Sequence, residues 1–170
     1  MKLTMHGWWT VVHGFVLVPV FLLAFAGGLI DLMTLRHESL APPEFGHALR
    51  RLKNRVWVMA AAAWLMVITG TYVSYPWYRA ASPDSPKSKL LAAHDLAAWH
   101  TFAMEWKEHV AWVSPILATV VGFIGTYYSA ELAARNDLRR AASVFLVLAF
   151  AASAVGGVLG AFIYKVVPIL

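Results

Sequence analysis

Cysteine is absent from the chain. That excludes a disulfide framework, thiolate-held zinc or iron–sulfur centres, and a cysteine nucleophile. Charge is scarce as well: 14% of the 170 residues are charged and 60% are hydrophobic, with a mean hydropathy of +0.63. Soluble domains carry roughly 25% charged residues, so this balance points to an integral membrane protein. No stretch of about ten residues alternates polar with apolar, which argues against a transmembrane barrel and leaves helices. No P-loop, dinucleotide fingerprint or nucleophile elbow is present, so no motif marks the chain as an enzyme.

Four apolar segments are long enough to cross a hydrocarbon core, which takes roughly 20 helical residues. They run from about residue 8 to 32, 56 to 77, 109 to 128 and 141 to 166. The expected architecture is one all-α domain over residues 1–170, a four-helix membrane bundle. Lys2 and Ala24-Phe25-Ala26 give the first segment some look of a signal peptide. Its apolar run is about twice the usual signal core, so it reads as a retained first helix. In the first connection, EFGHALRRLKNR follows Pro42-Pro43 and reads as a short interfacial helix. In the second, KSKLLAAHDLAAWH follows the breaker Ser82-Pro83-Asp84-Ser85-Pro86 and reads as an amphipathic helix lying on the membrane. ARNDLRR makes a tight third link.

The net charge of +5 sits mostly in short loops, where it orients a membrane protein and meets anionic lipid; nucleic acid is not an expected partner. The first and third connections hold five and three Lys or Arg. The N-terminus, second connection and C-terminus hold one, four and one. The eight also lie closer to helix ends, which puts those two connections in the cytoplasm of a bacterial inner membrane and both termini outside. Gly156 and Gly160 form a small-xxx-small face on the fourth span, read first as packing within the bundle.

Histidine placement is the most informative feature. The second and fourth spans have none, whereas His6 and His13 open the first and His94, His100 and His109 lead into the third. These five fall near one membrane face, and His37 and His47 near the other. His6 and His13 share a side of their helix, about 20° apart in azimuth. The stretch HTFAMEWKEHVAW places Glu105 and His109 on one side of the third helix, with Phe102, Trp112 and Ile116. His100 and Lys107 lie on the other side. Lys107 between Glu105 and Glu108 reads as a local ion network, the glutamates pairing with it, with His109 or with loop arginines, and Asp31 reads as a partner of Arg36. Pro115 predicts a kink just past His109.

Imidazoles from neighbouring helices of a bundle are a common way to hold haem b. On that reading His13 and His109 are the axial ligands to the iron, Glu105 supports an imidazole, and His6 and His100 are lesser candidates. Trp8, Trp9, Trp106 and Trp112 either wall the macrocycle or form an interfacial aromatic belt. Copper or a di-iron centre on His100, Met104, Glu105, Glu108, His109 and His13 fits less well, because the Glu-x-x-His repeat of bundle di-iron sites is missing. Glu105 or Glu108 beside a quinol, with His94 or His100 relaying, is a further reading.

HGWWTVVHGFVLVPVFLLAFAGGLIDLM resembles the opening helix of a family of uncharacterised bacterial four-helix membrane proteins. The features that carry the likeness are His6, Val12-His13 and Asp31, with Gly70 late in the alanine-rich second span. It covers about the first 75 residues and does not extend to MEWKEHVAW. The histidine placement is similar to that of small membrane b-type cytochromes. These resemblances imply haem binding by helix-borne histidines. Together the readings lead to a cytochrome-like electron-transfer subunit, not an enzyme by itself, linked to the quinone pool and to other subunits of a respiratory complex. The alternative is a cofactor-free structural or anchoring subunit.

Overall fold

A computed structural model describes residues 4–35 and 42–166. Its elements are α1 (Met5–Thr34), α2 (Glu44–Tyr78), α3 (Pro86–Ala92), α4 (Trp99–Tyr127), α5 (Ser129–Ala134) and α6 (Asn136–Val166). Among the described residues every regular element is helical. Helices α1, α2, α4 and α6 are each long and apolar enough to cross a membrane. They pack in sequence order around a ring, α6 returning to α1, so that α1 and α4 stand at opposite corners.

The core between them is rich in alanine: Ala60, Ala63, Ala118, Ala142 and Ala149 are buried around Met59, Val121 and Leu146. Small side chains let helix backbones approach closely, which matters where lipid offers no hydrophobic drive between helices. Polar ties span the ring. Trp57 donates to Thr126 at 3.0 Å, Trp64 donates to Thr119 at 3.1 Å, and Ser153 donates to the buried Ser114 at 2.7 Å. Phe25 stacks on Phe150 at 4.3 Å and closes the ring between α1 and α6.

Three expectations about the connections change. Residues expected to form a separate interfacial turn are the start of α2: a single regular helix runs Pro42–Thr69, and Ala48 and Leu52 already face the core. In the second connection the helix is shorter than expected and ends at Ala92. Ser85 caps α3, its hydroxyl accepting from the Ser88 amide, with Pro86 in the first turn. Leu90 is then fully buried against Tyr78, Ala103, Met104 and Ile163, so α3 plugs one end of the bundle. The third long helix begins at Trp99, ten residues before the apolar run, because HTFAMEWKEH is helical. Its regular hydrogen bonding breaks at Ala111-Trp112, where Pro115 has no amide proton for the Ala111 carbonyl.

At the end bearing α1's last turn, Asp31 is buried and held by two arginines of α2. Arg51 Nε donates to Oδ1 at 2.9 Å, and Arg55 Nη1 to Oδ2 at 2.8 Å. Arg55 also donates to the Gly27 carbonyl at 3.0 Å. A Cβ at Gly27 would lie 2.8 Å from the Arg55 side chain, so the glycine makes room for this clamp. Arg36, the expected partner of Asp31, and His37 lie outside the described residues.

Among the described residues three helical turns are widened to i→i−5 spacing: His13–Leu17, Gly70–Ser74 and Trp99–Met104. Such turns are uncommon and concentrate at functional sites. Pro19 and Pro76 explain the first two. Each leaves the carbonyl four residues back, of Phe15 and Tyr72, without its donor, and the wider turn relieves the ring's clash. All three fall at the same end of the bundle, the end that carries the histidines.

Candidate functional site: the polar cluster at the histidine end

Tyr78 closes α2, and Arg79 follows it immediately. Opposite them, the widened turn and next turn of α4 carry His100, Met104, Glu105, Lys107 and Glu108. The Tyr78 hydroxyl and His100 Nδ1 are hydrogen-bonded at 3.0 Å, both residues being buried. On its other side, His100 Nε2 lies 3.9 Å from Glu105 Oε1. Arg79 Nη2 then bonds Glu105 Oε1 and reaches Glu108 Oε2 at 3.1 Å, while its guanidinium covers the Tyr75 ring at 4.8 Å. The result is a cluster of phenol, imidazole, carboxylate, guanidinium and carboxylate, with a gap of 3.9 Å between the imidazole and the first carboxylate. Burial opposes the charge of Arg79, but its hydrogen bond to Glu105 and the charges of Glu108 and Glu105 outweigh it, holding the guanidinium above its usual range.

This arrangement replaces the local ion network expected around Lys107. Because Arg79 takes both carboxylates, Lys107 has no hydrogen bond or ion pair among the described residues. Its stem runs across α6: a Cβ at Gly156 would lie 3.9 Å from Lys107 Cγ, and one at Gly160 would lie 2.9 Å from Nζ. The glycine face of the fourth span is therefore occupied by a lysine of its own chain. Lys107 and Gly160 line a cavity of about 30 Å³ with Ser74, Trp77, Tyr78, Pro86, Met104 and Ile163, room for roughly one or two waters.

The sequence-predicted residues do not converge as one group. His100 and Glu105 belong to the cluster. His6 stacks on Trp77 with centroids 4.1 Å apart and planes 15° from parallel, joining the start of α1 to the end of α2. His13 is half-buried. His109 is exposed, its Nδ1–H donating to the Glu105 carbonyl at 2.7 Å. Lys107 and His109 project about 160° apart on one helix. His94 and His47 are exposed. Trp8, Trp9, Trp106 and Trp112 are all exposed, as in an aromatic belt. Among the described residues no three His, Asp or Glu side chains are grouped as a metal ion's ligands would be.

Sequence reasoning missed Tyr78 and Arg79. The signal was YPWYR, an arginine one residue beyond an apolar run that ends in aromatics. Compared with protein-family models, curated proteins and solved structures, the chain matches none.

Proposed function

We propose that the chain is a multi-pass protein of a bacterial inner membrane and the quinone-linked subunit of a membrane redox complex. Both termini and the histidine end face outward. The four apolar helices and the lysine and arginine distribution support the embedding and orientation.

The observation that carries the functional reading is the polar cluster at the ends of apolar helices, in which the Tyr78–His100 hydrogen bond lies 3.9 Å from the Glu105–Arg79–Glu108 ion network. Ionisable groups in such helices are expensive and mark proton or substrate paths by default. A quinol oxidised here loses two protons and two electrons: one proton passes by way of Tyr78 and His100 toward Glu105, the second leaves to water at the outer face, and the electrons pass one at a time to a one-electron carrier of the complex. In membranes whose copy of the protein is the Glu105→Gln variant, quinol oxidation by the complex is expected to slow at least about tenfold, the usual scale for losing a positioned proton acceptor. An unchanged rate, with the variant present at wild-type level, contradicts the reading.

A second reading, the b-type cytochrome, is favoured by one observation. Nδ1–H of His109 bonded to a carbonyl leaves Nε2 available, as in metal-ligating histidines. His109 is exposed, and the cavity beside Lys107 is water-sized. A haem b on His109 would therefore sit on the exposed side of α4. The visible spectrum of protein purified gently in detergent, with haem supplied during expression, decides the matter. A Soret band and sharp reduced α-band lost in His109→Ala, and kept in His13→Ala, fit haem on the exposed side. Loss in both variants restores the opposed histidine pair. A colourless preparation removes haem from the account and leaves the quinone reading and the cofactor-free anchoring role.

A further inference from the structure

The arginine clamp on Asp31, at the end opposite the histidines, uses only part of its donors. Arg51 gives Nε to Asp31, and Arg55 gives Nη1 to Asp31 and to the Gly27 carbonyl. Both terminal nitrogens of Arg51, with Nε and Nη2 of Arg55, have no acceptor among the described residues. The two arginines are one turn apart and share a side of α2. Two guanidiniums against one buried carboxylate leave a net charge of +1. Because the carboxylate already holds both side chains, little rotamer freedom is left to lose when a ligand binds. The clamp also lies at the edge of the hydrocarbon layer. Asp31 stands at the end of the apolar run of α1, and Arg55 immediately precedes that of α2, which starts at Val56. Both helices leave the apolar core here, at the level of the lipid headgroups. Arg51 is 53% exposed and Arg55 37%, so the free donors face outward. Deeper in the membrane the same sides of the two helices are apolar. Val58, seven residues past Arg51, is 46% exposed, and Leu23, one turn from Gly27, is 75% exposed.

We propose that Arg51 and Arg55 bind the headgroup phosphate of an acidic phospholipid in the leaflet at this end, with Val58 and Leu23 as the bed of an acyl chain. A phosphate diester carries one negative charge, which balances the clamp, and two free oxygens, which suit the planar fork of a guanidinium. Asp31 is the positioning residue: it touches no lipid and holds both forks in place. Gly27 belongs to the same device, since a Cβ there would displace the Arg55 side chain. A zwitterionic headgroup offers the same phosphate but brings a cation beside two guanidiniums, so an acidic lipid is the better fit. Lys53 projects about 160° away from Arg51 around α2 and takes no part in the site.

The test is a titration of the full chain, in a neutral detergent, with phosphatidylglycerol, bound lipid being counted by native mass spectrometry. The wild type is expected to hold a first phosphatidylglycerol more tightly than the rest and more tightly than phosphatidylcholine. Arg51→Gln is expected to weaken that first binding about tenfold or more, the scale of a hydrogen bond between charged groups. Lys53→Gln removes the same charge from the other side of α2 and is expected to change it little. Should Arg51→Gln fail to fold by circular dichroism, Arg51→Lys carries the comparison: it keeps the charge, loses the fork and is expected to bind more weakly than the wild type. Equal losses in the Arg51 and Lys53 variants reduce the effect to the general charge of this end and overturn the site. No preference for phosphatidylglycerol over phosphatidylcholine in the wild type overturns it as well. Inorganic phosphate is expected to leave the bound lipid in place; displacement would make this a site for free phosphate and overturn the lipid assignment.

Discussion

Asp31→Ala is expected to destabilise the protein by about 3 kcal/mol, the loss of two charge-assisted hydrogen bonds from a buried carboxylate. Asp31 is 3% exposed, while Arg51 and Arg55 are 53% and 37% exposed. The arginines regain water when the carboxylate goes, which keeps the loss at the low end of what breaking a buried ion pair costs. Arg55 also keeps its bond to the Gly27 carbonyl. In an Arg51→Ala, Arg55→Ala background the same change is expected to cost much less, since the interaction is already gone. Reversible unfolding of the detergent-solubilised protein by a denaturing detergent measures both. A loss within about 0.5 kcal/mol, the range of an ordinary surface substitution, would mean that the clamp does not join α1 to α2.

Leu90→Ala is expected to cost about 3 kcal/mol, the middle of the range for emptying a buried leucine site. Leu90 is 0% exposed. Its neighbours Tyr78, Ala103, Met104 and Ile163 belong to a small cluster separate from the main core, so the loss is local. The expected signature is a plug that opens more often: faster proteolysis at Ser82–Ser85, with the four long helices still protected. Proteolysis no faster than wild type would show that Leu90 does not hold α3 in place.

Much of this fold was legible from composition. Four apolar runs without alternation could only be helices, and each run lies inside a long helix. Helix ends were harder to read, because hydropathy stops where charge begins and backbone structure does not. HTFAMEWKEH lies outside the apolar run read as the third span, yet it is two turns and more of α4, its charges covered by Arg79 and by α6. The same limit hid the first part of α2, whose arginines sit on a helix that also buries Ala48 and Leu52.

Periodicity correctly split the charged stretch into two sides, with His109 and Lys107 pointing apart. It could not say which side faced inward, since that depends on neighbouring helices and on the turn at Trp99–Met104 that no proline announces. The inward side is that of Lys107 and His100, not that of His109. Tyr78 and Arg79 come from 22 to 29 residues earlier in the chain than their partners, a pairing that single-helix geometry has no means to reveal.

The central claim is that the polar cluster at the histidine end is a quinone site. Quinone extracted from gently purified protein and quantified by absorbance after chromatography tests it most directly. The wild type is expected to carry quinone approaching about one per chain. Wild-type protein with no more quinone than an unrelated four-helix membrane protein prepared alongside it would contradict the account.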